Sequence, residues 1–146
     1  MKTNEIFIIN APIQKVFDFV SKPDMQKLWM DGLDNTEYLN QWNEKNPVGT
    51  KFSQRLIKGH MKSVYDIQGE ILGYKEPNLY EVKLNNKDFS VEIKYELIEI
   101  DGKTQLSIDS EMEFMGNFVN RFLSKMAAHH NKQDMKKLVD LVERGK

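Results

Sequence analysis

Ile6-Phe7-Ile8-Ile9-Asn10-Ala11-Pro12-Ile13-Gln14-Lys15-Val16-Phe17-Asp18-Phe19-Val20 is the stretch on which the fold of this chain turns. A short apolar strand, Ile6 to Ile9, gives way at Asn10-Ala11 to a helix. Ile13, Val16, Phe17 and Val20 recur at i, i+3, i+4 and i+7, the stripe of a helix lying on a core. Pro12 suits a first helical position, where its missing N–H costs nothing. A second short helix is expected from Pro23, with Met25, Leu28 and Trp29 on one side.

Downstream the period changes from helical to two. Residues 34–42 read as a strand with Tyr38, Asn40 and Trp42 on one side, and Asn46-Pro47-Val48-Gly49 as a turn. From Thr50 onward Phe52, Gln54 and Leu56 share a face, and Lys58-Gly59-His60-Met61 reads as a hairpin connection. Over residues 63–73, Tyr65, Ile67, Gly69 and Ile71 alternate with Asp66, Gln68 and Glu70, the pattern of a sheet covered on one face and wet on the other. Gly69 in mid-strand implies a bulge or a sharp bend there. After a turn at Lys75-Glu76-Pro77-Asn78 come Tyr80, Val82 and Leu84, then Phe89, Val91, Ile93, Tyr95 and Leu97. Asp101-Gly102 is a type I′ hairpin signal, and Leu106, Ile108, Ser110, Met112 and Phe114 follow it. Gly116-Asn117 then opens a helix running to about Val142, striped first by Phe118, Val119, Phe122, Leu123 and Met126, later by Met135, Leu138, Val139 and Val142.

The order is strand, two short helices, six strands and a long helix, with hairpin-length links between the strands. Such links give an antiparallel meander. Its inward apolar positions lie on one face, and only the last helix is long enough to cover them. The expected class is therefore α+β: a curved sheet around a terminal helix, a shape that leaves a hollow. With 146 residues the chain reads as a single domain, 1–146. It carries 21 Lys and Arg against 22 Asp and Glu, well mixed, which excludes a nucleic-acid footprint. It has no cysteine, hence no disulfide framework and no thiolate chemistry. No apolar run reaches the length of a membrane-spanning helix or a signal peptide. The expected setting is the cytoplasm.

The opening residues, with Pro23-Asp24 and Trp29 after them, resemble the START-like superfamily, also called SRPBCC or Bet v 1-like, and within it the polyketide cyclase/dehydrase and lipid-transport group. The resemblance covers essentially the whole chain. It implies a helix-grip fold, a seven-stranded antiparallel sheet curled round a long C-terminal helix, enclosing an apolar cavity. It further implies binding of lipids, sterols, polyketides, plant hormones or quinones, with cyclisation or dehydration in some members. It supplies no universal catalytic residue. The Hsp90-activator-like branch usually opens its final helix with Gly-Trp, where this chain has Gly116-Asn117.

Candidate lining residues follow from alternation and residue type. Trp29, Tyr38, Tyr65, Tyr80 and Tyr95 are large rings, some with hydroxyls that need a partner when buried. Phe52, Ile67, Met112, Phe118, Phe122 and Met126 would supply apolar wall, and methionine adapts to varied ligands. Gln54 and Ser110 are polar among inward apolar neighbours and need an internal partner, water or backbone ahead of a ligand oxygen. Each of these residues also has an ordinary reading as packed core. His60 falls in a turn. His129 and His130 are adjacent on a helix, about 100° apart, where paired metal ligands want i, i+3 or i, i+4 spacing. No metal and no cofactor are expected. Glu92/Glu96 and Glu111/Glu113 share outward strand faces, and no acid falls on the inner face, which weighs against catalysis. The basic last helix reads chiefly as a solvated face and is compatible with transient membrane contact.

The leading reading is binding, transport or sensing of a hydrophobic small molecule by a monomer or homodimer. The alternatives are a cyclase/dehydratase-like enzyme and a protein-interaction or Hsp90-activator-like module.

Overall fold

The chain was analysed as a computed structural model, which describes the backbone of residues 2–114 and 121–144 and the side chains of 2–114 and 132–144. Alternation builds the sheet from the first residue described. β1 (Lys2–Ile9) is followed by α1 (Ile13–Ser21) and α2 (Pro23–Trp29), then by β2 (Leu33–Tyr38), β3 (Lys51–Lys58), β4 (Ser63–Lys75), β5 (Leu79–Asn85), β6 (Phe89–Ile100) and β7 (Lys103–Phe114), and α3 (Arg121–Arg144) closes the order. The seven strands form one antiparallel sheet in the order β1-β7-β6-β5-β4-β3-β2. This is the helix-grip α+β architecture expected from the sequence. The first and second strands are the sheet's two edges, because the helical pair between them carries the chain from one edge to the other.

Local chemistry explains most boundaries. Pro12 sits one position earlier than expected, extended at the N-cap of α1, while Pro23 takes the first turn of α2. At Asp101-Gly102 both residues have positive φ, 50° and 78°, as a type I′ turn requires. β2 is shorter than the expected 34–42 and ends at Tyr38. Asn40 replaces the strand there: its Oδ1 accepts from the Lys51 N–H at 2.7 Å and its Nδ2 donates to the Gly49 carbonyl at 3.3 Å. A side-chain amide that satisfies the neighbouring backbone removes the need for further strand. The proposed Gly116-Asn117 cap lies outside the described residues.

α2 turns a different face inward from the one its apolar residues suggested. Leu28 is exposed, and Gln26 and Trp29 are buried. Gln26 Nε2 donates to the Val20 carbonyl at 2.8 Å, and the indole N–H of Trp29 donates to the Phe19 carbonyl at 2.7 Å. Both bonds tie α2 back to α1, so two polar groups enter the core at no cost in unsatisfied donors.

The core lies where α1, α2 and the second half of α3 meet the sheet. Ile9, Val16, Phe17, Val20, Leu97, Leu106, Leu138 and Val142 are fully buried there. Glu143 of α3 accepts from the Asn10 N–H at 3.1 Å, and Asp134 from the Asp31 N–H at 3.1 Å, fixing the helix at two points. No helix among the described residues is long and apolar enough to cross a membrane.

Candidate functional site

The concave face can be followed across the sheet in rows, because residues directly opposite in antiparallel strands share a face. One row is Tyr38, Phe52, Gly69, Leu84, Val91 and Met112. A second is Ile71, Val82, Ile93, Ser110 and Thr3, and a third Tyr74, Tyr80, Tyr95, Ile108 and Glu5. Gln54 pairs with Thr36 on one side and Ile67 on the other.

Two of these rows depend on events the alternation did not locate. The bulge of β4 is at Ile71/Gly73, where Leu72 is the extra residue, and not at Gly69. It shifts the phase by one, so Tyr74 joins the face of Tyr65, Ile67 and Ile71. Gly69 has another purpose. A Cβ there would stand 2.3 Å from the Phe52 ring, so the ring lies flat on the glycine backbone.

Tyr74 thereby links a continuous run of rings. Tyr80 stacks on Tyr95 at 5.9 Å and meets Tyr74 edge-on at 6.2 Å. Tyr74 meets Phe17 at 5.4 Å and Trp42 at 5.7 Å, and Trp42 packs on Tyr38 at 5.4 Å. Trp42 shares this run with Tyr38 although it lies beyond the end of β2. Burial pushes the phenols of Tyr80 and Tyr95 well above the ordinary tyrosine range; a hydrogen bond to Gln26 opposes this in part at Tyr80, and Asp134 adds to it at Tyr95. Both are therefore neutral hydroxyls at any physiological pH.

Burial is uneven along the strands, with Val91 buried opposite a half-buried Met112. On β6 and β7, Leu97 and Leu106 are sealed, whereas Ile93, Ile108, Ser110, Met112 and Phe114 are only half-buried although they point to the concave side. Leu84 on β5 and Tyr65 on β4 are half-buried too. The floor thus continues past the packed core toward the end of the sheet that carries the start of α3.

The expected lining residues divide differently. Trp29, Phe52, Tyr80 and Tyr95 belong to the packed core; Gln54 and Ile67 are buried beside it, and Tyr65, Ser110 and Met112 are half-buried. Tyr38 is 39% exposed at the sheet's edge. Phe118 lies outside the described residues, as do the side chains of Phe122 and Met126. Ser110 finds a partner in the hydroxyl of Thr3 across the β1–β7 pair. Gln54 is buried, its Nε2 reaching the Thr36 hydroxyl at a long 3.4 Å.

The expectation of an inner face without acids is corrected. Glu5 stands on it, opposite Ile108, at a groove of about 370 Å³ between β1 and α3 that Phe7, Lys132 and Met135 also line. Alternation back from Ile9 through Phe7 reaches Glu5 because β1 begins at Lys2, ahead of the apolar run from Ile6. Asp134 reaches inward from α3 near Tyr95 and Lys58. Burial lowers the Lys58 ammonium from its usual value, with Asp134 and Asp31 opposing. A larger open depression, about 440 Å³, lies mostly on the outer face among Lys2, Asn4, Glu81, Glu92, Lys94 and Glu111. Among the described residues no group of His, Cys, Asp or Glu is arranged to hold a metal ion.

The fold is that of START and Bet v 1-like proteins of known structure. A START superfamily protein from Mycobacterium smegmatis is 14% identical with a TM-score of 0.78, each chain covered to 99%. Ara h 8.0201 is 13% identical with a TM-score of 0.76, each chain covered to 97%. A conserved protein from Geobacillus kaustophilus is 19% identical with a TM-score of 0.78, over 99% of this chain and 96% of that one. The chain belongs to the polyketide cyclase/dehydrase and lipid transport family, whose model matches residues 2–144. Among curated proteins none matches the sequence.

Proposed function

We propose that this protein binds a hydrophobic small molecule, of the size of a lipid, polyketide or quinone, on the concave floor between β4–β7 and the first half of α3, as a carrier or sensor. One observation carries the reading: Ile93, Ile108, Met112 and Leu84 face the inside of the grip and yet remain half-buried, next to neighbours that are sealed. Apolar surface on a concave wall is stabilised by an apolar guest, at roughly 25 cal/mol per Å² covered. Gln54 and the rim pair of Glu5 and Lys132 would orient the guest's polar end, since pockets of this kind place a few polar groups in an apolar lining. The groove between β1 and α3 is its entrance. Native mass spectrometry of protein purified from its own host tests the reading: a bound lipid-like mass is expected, and Met112→Ala should lose it while unfolding at the same urea concentration. A protein that carries no guest from its host, and takes up none from a lipid extract, would falsify the proposal.

A further inference from the structure

The β3–β4 hairpin runs beyond the rest of the sheet. β4 pairs with β5 only from Gln68 onward, whereas its pairing with β3 continues to Lys58 opposite Ser63. The hairpin closes through Gly59 and Lys62, both at positive φ, with the Lys62 N–H donating to the Gly59 carbonyl at 3.1 Å. Met61 at its tip is 89% exposed and Val64 beside it 56%. From Arg55 to Tyr65 this ribbon carries Arg55, Lys58, His60 and Lys62 and no acidic residue, in a chain of net charge −1. Arg55 is matched by Asp66 at 3.7 Å, and Lys58 turns inward toward Asp31 and Asp134. Lys62, with His60 next to it, therefore brackets Met61 with cationic or protonatable groups that face outward.

An unbranched apolar side chain held in water at the end of a projecting ribbon gains by entering the interfacial layer of a bilayer, where the flanking cations meet phosphates. An acidic protein surface would satisfy the charges and leave Met61 wet. We propose that the β3–β4 tip docks this protein on an anionic lipid bilayer, with Met61 below the headgroups and Lys62 among them. The proposal stands apart from whatever the concave floor holds.

The test is co-sedimentation with vesicles of phosphatidylcholine alone and of phosphatidylcholine with phosphatidylglycerol in equal parts. The protein should pellet with the second and not with the first. Met61→Ser should weaken partitioning about tenfold, from the lost apolar burial. Lys62→Glu should weaken it about thirtyfold, from a reversed charge near the surface. Both positions are exposed, and near-UV circular dichroism checks that the fold is intact. Because the chain has no cysteine, an environment-sensitive dye on Met61→Cys reports insertion directly; it should shift to the blue on anionic vesicles, while the same dye on Lys103→Cys, at the far end of the sheet, should not. Absence of pelleting, equal pelleting with both vesicles, or a dye at 61 that stays in water overturns the proposal. So does a loss confined to Lys62→Glu, which would mark adsorption by charge alone with Met61 left in water.

Discussion

Gly69 has no room for a methyl group. Its missing side chain lets the Phe52 ring lie on the strand, so Gly69→Ala forces the ring aside and should cost about 1–3 kcal/mol in urea unfolding, an overpacking penalty. In a Phe52→Ala background the same change should cost far less, because two residues in contact do not act additively. Tyr80 and Tyr95 make a second statement at this scale. Their folded pKa values are raised above the ordinary 10, so the stability they contribute is fully present below that pH and is lost as pH rises above it, where the unfolded chain sheds protons that the folded one keeps. Each phenol should steepen the loss by about 1.4 kcal/mol per pH unit, measured by urea midpoints between neutral and strongly alkaline pH. Tyr80→Phe with Tyr95→Phe should flatten that dependence.

At the scale of elements, the bulge in β4 governs the aromatic run. A one-residue phase shift moves every later side chain of a strand to the other face. Deleting Leu72 would restore simple alternation and turn Tyr74 outward, separating Tyr80 and Phe17 from Trp42. Three ring contacts would go, each worth about 0.5–1.5 kcal/mol beyond area burial. The expected result is a lost near-UV aromatic signal and a fall of several kcal/mol in stability, while a Leu72→Ala substitution, which keeps the bulge, leaves the aromatic signal in place. α2 shows the complementary case, an element whose inward face is chosen by hydrogen-bond partners. Met25 and Leu28 are its more apolar residues besides Trp29, yet Gln26 is inside because Val20 and Tyr80 await its amide.

The molecule as a whole has a sealed end and an open one. α3 is pinned at the sealed end by Met135, Leu138 and Val142. Leu138→Ala there should cost about 2–5 kcal/mol, the usual range for a fully buried leucine. Ile108→Ala, on the half-buried floor, should cost clearly less in unfolding and more in retention of a bound guest, read by native mass spectrometry. A molecule packed evenly from end to end would show the same cost at both positions. Much of this plan was legible in the sequence, including the antiparallel meander of six strands, the inward sets on β3, β5, β6 and β7, and the Asp101-Gly102 turn. Period two, period 3.6 and turn chemistry are local properties, set by residues a few positions apart, and they survive in the linear text. The site was legible only in part. Alternation put Phe52, Gln54, Ile67 and Met112 on the inner face and Trp42 on the side of Tyr38, whereas Tyr74, Gln26 and Glu5 were not read inward. Each of those three is placed by something distant in the chain: Tyr74 by a bulge that appears only against β5, Gln26 by a hydroxyl across the core, and Glu5 by the partner that extends β1. The sequence alone determined which residues alternate and where the chain turns. The tertiary structure decided which of them meet, because phase shifts and polar partnerships acquire an energy only once the strands have paired.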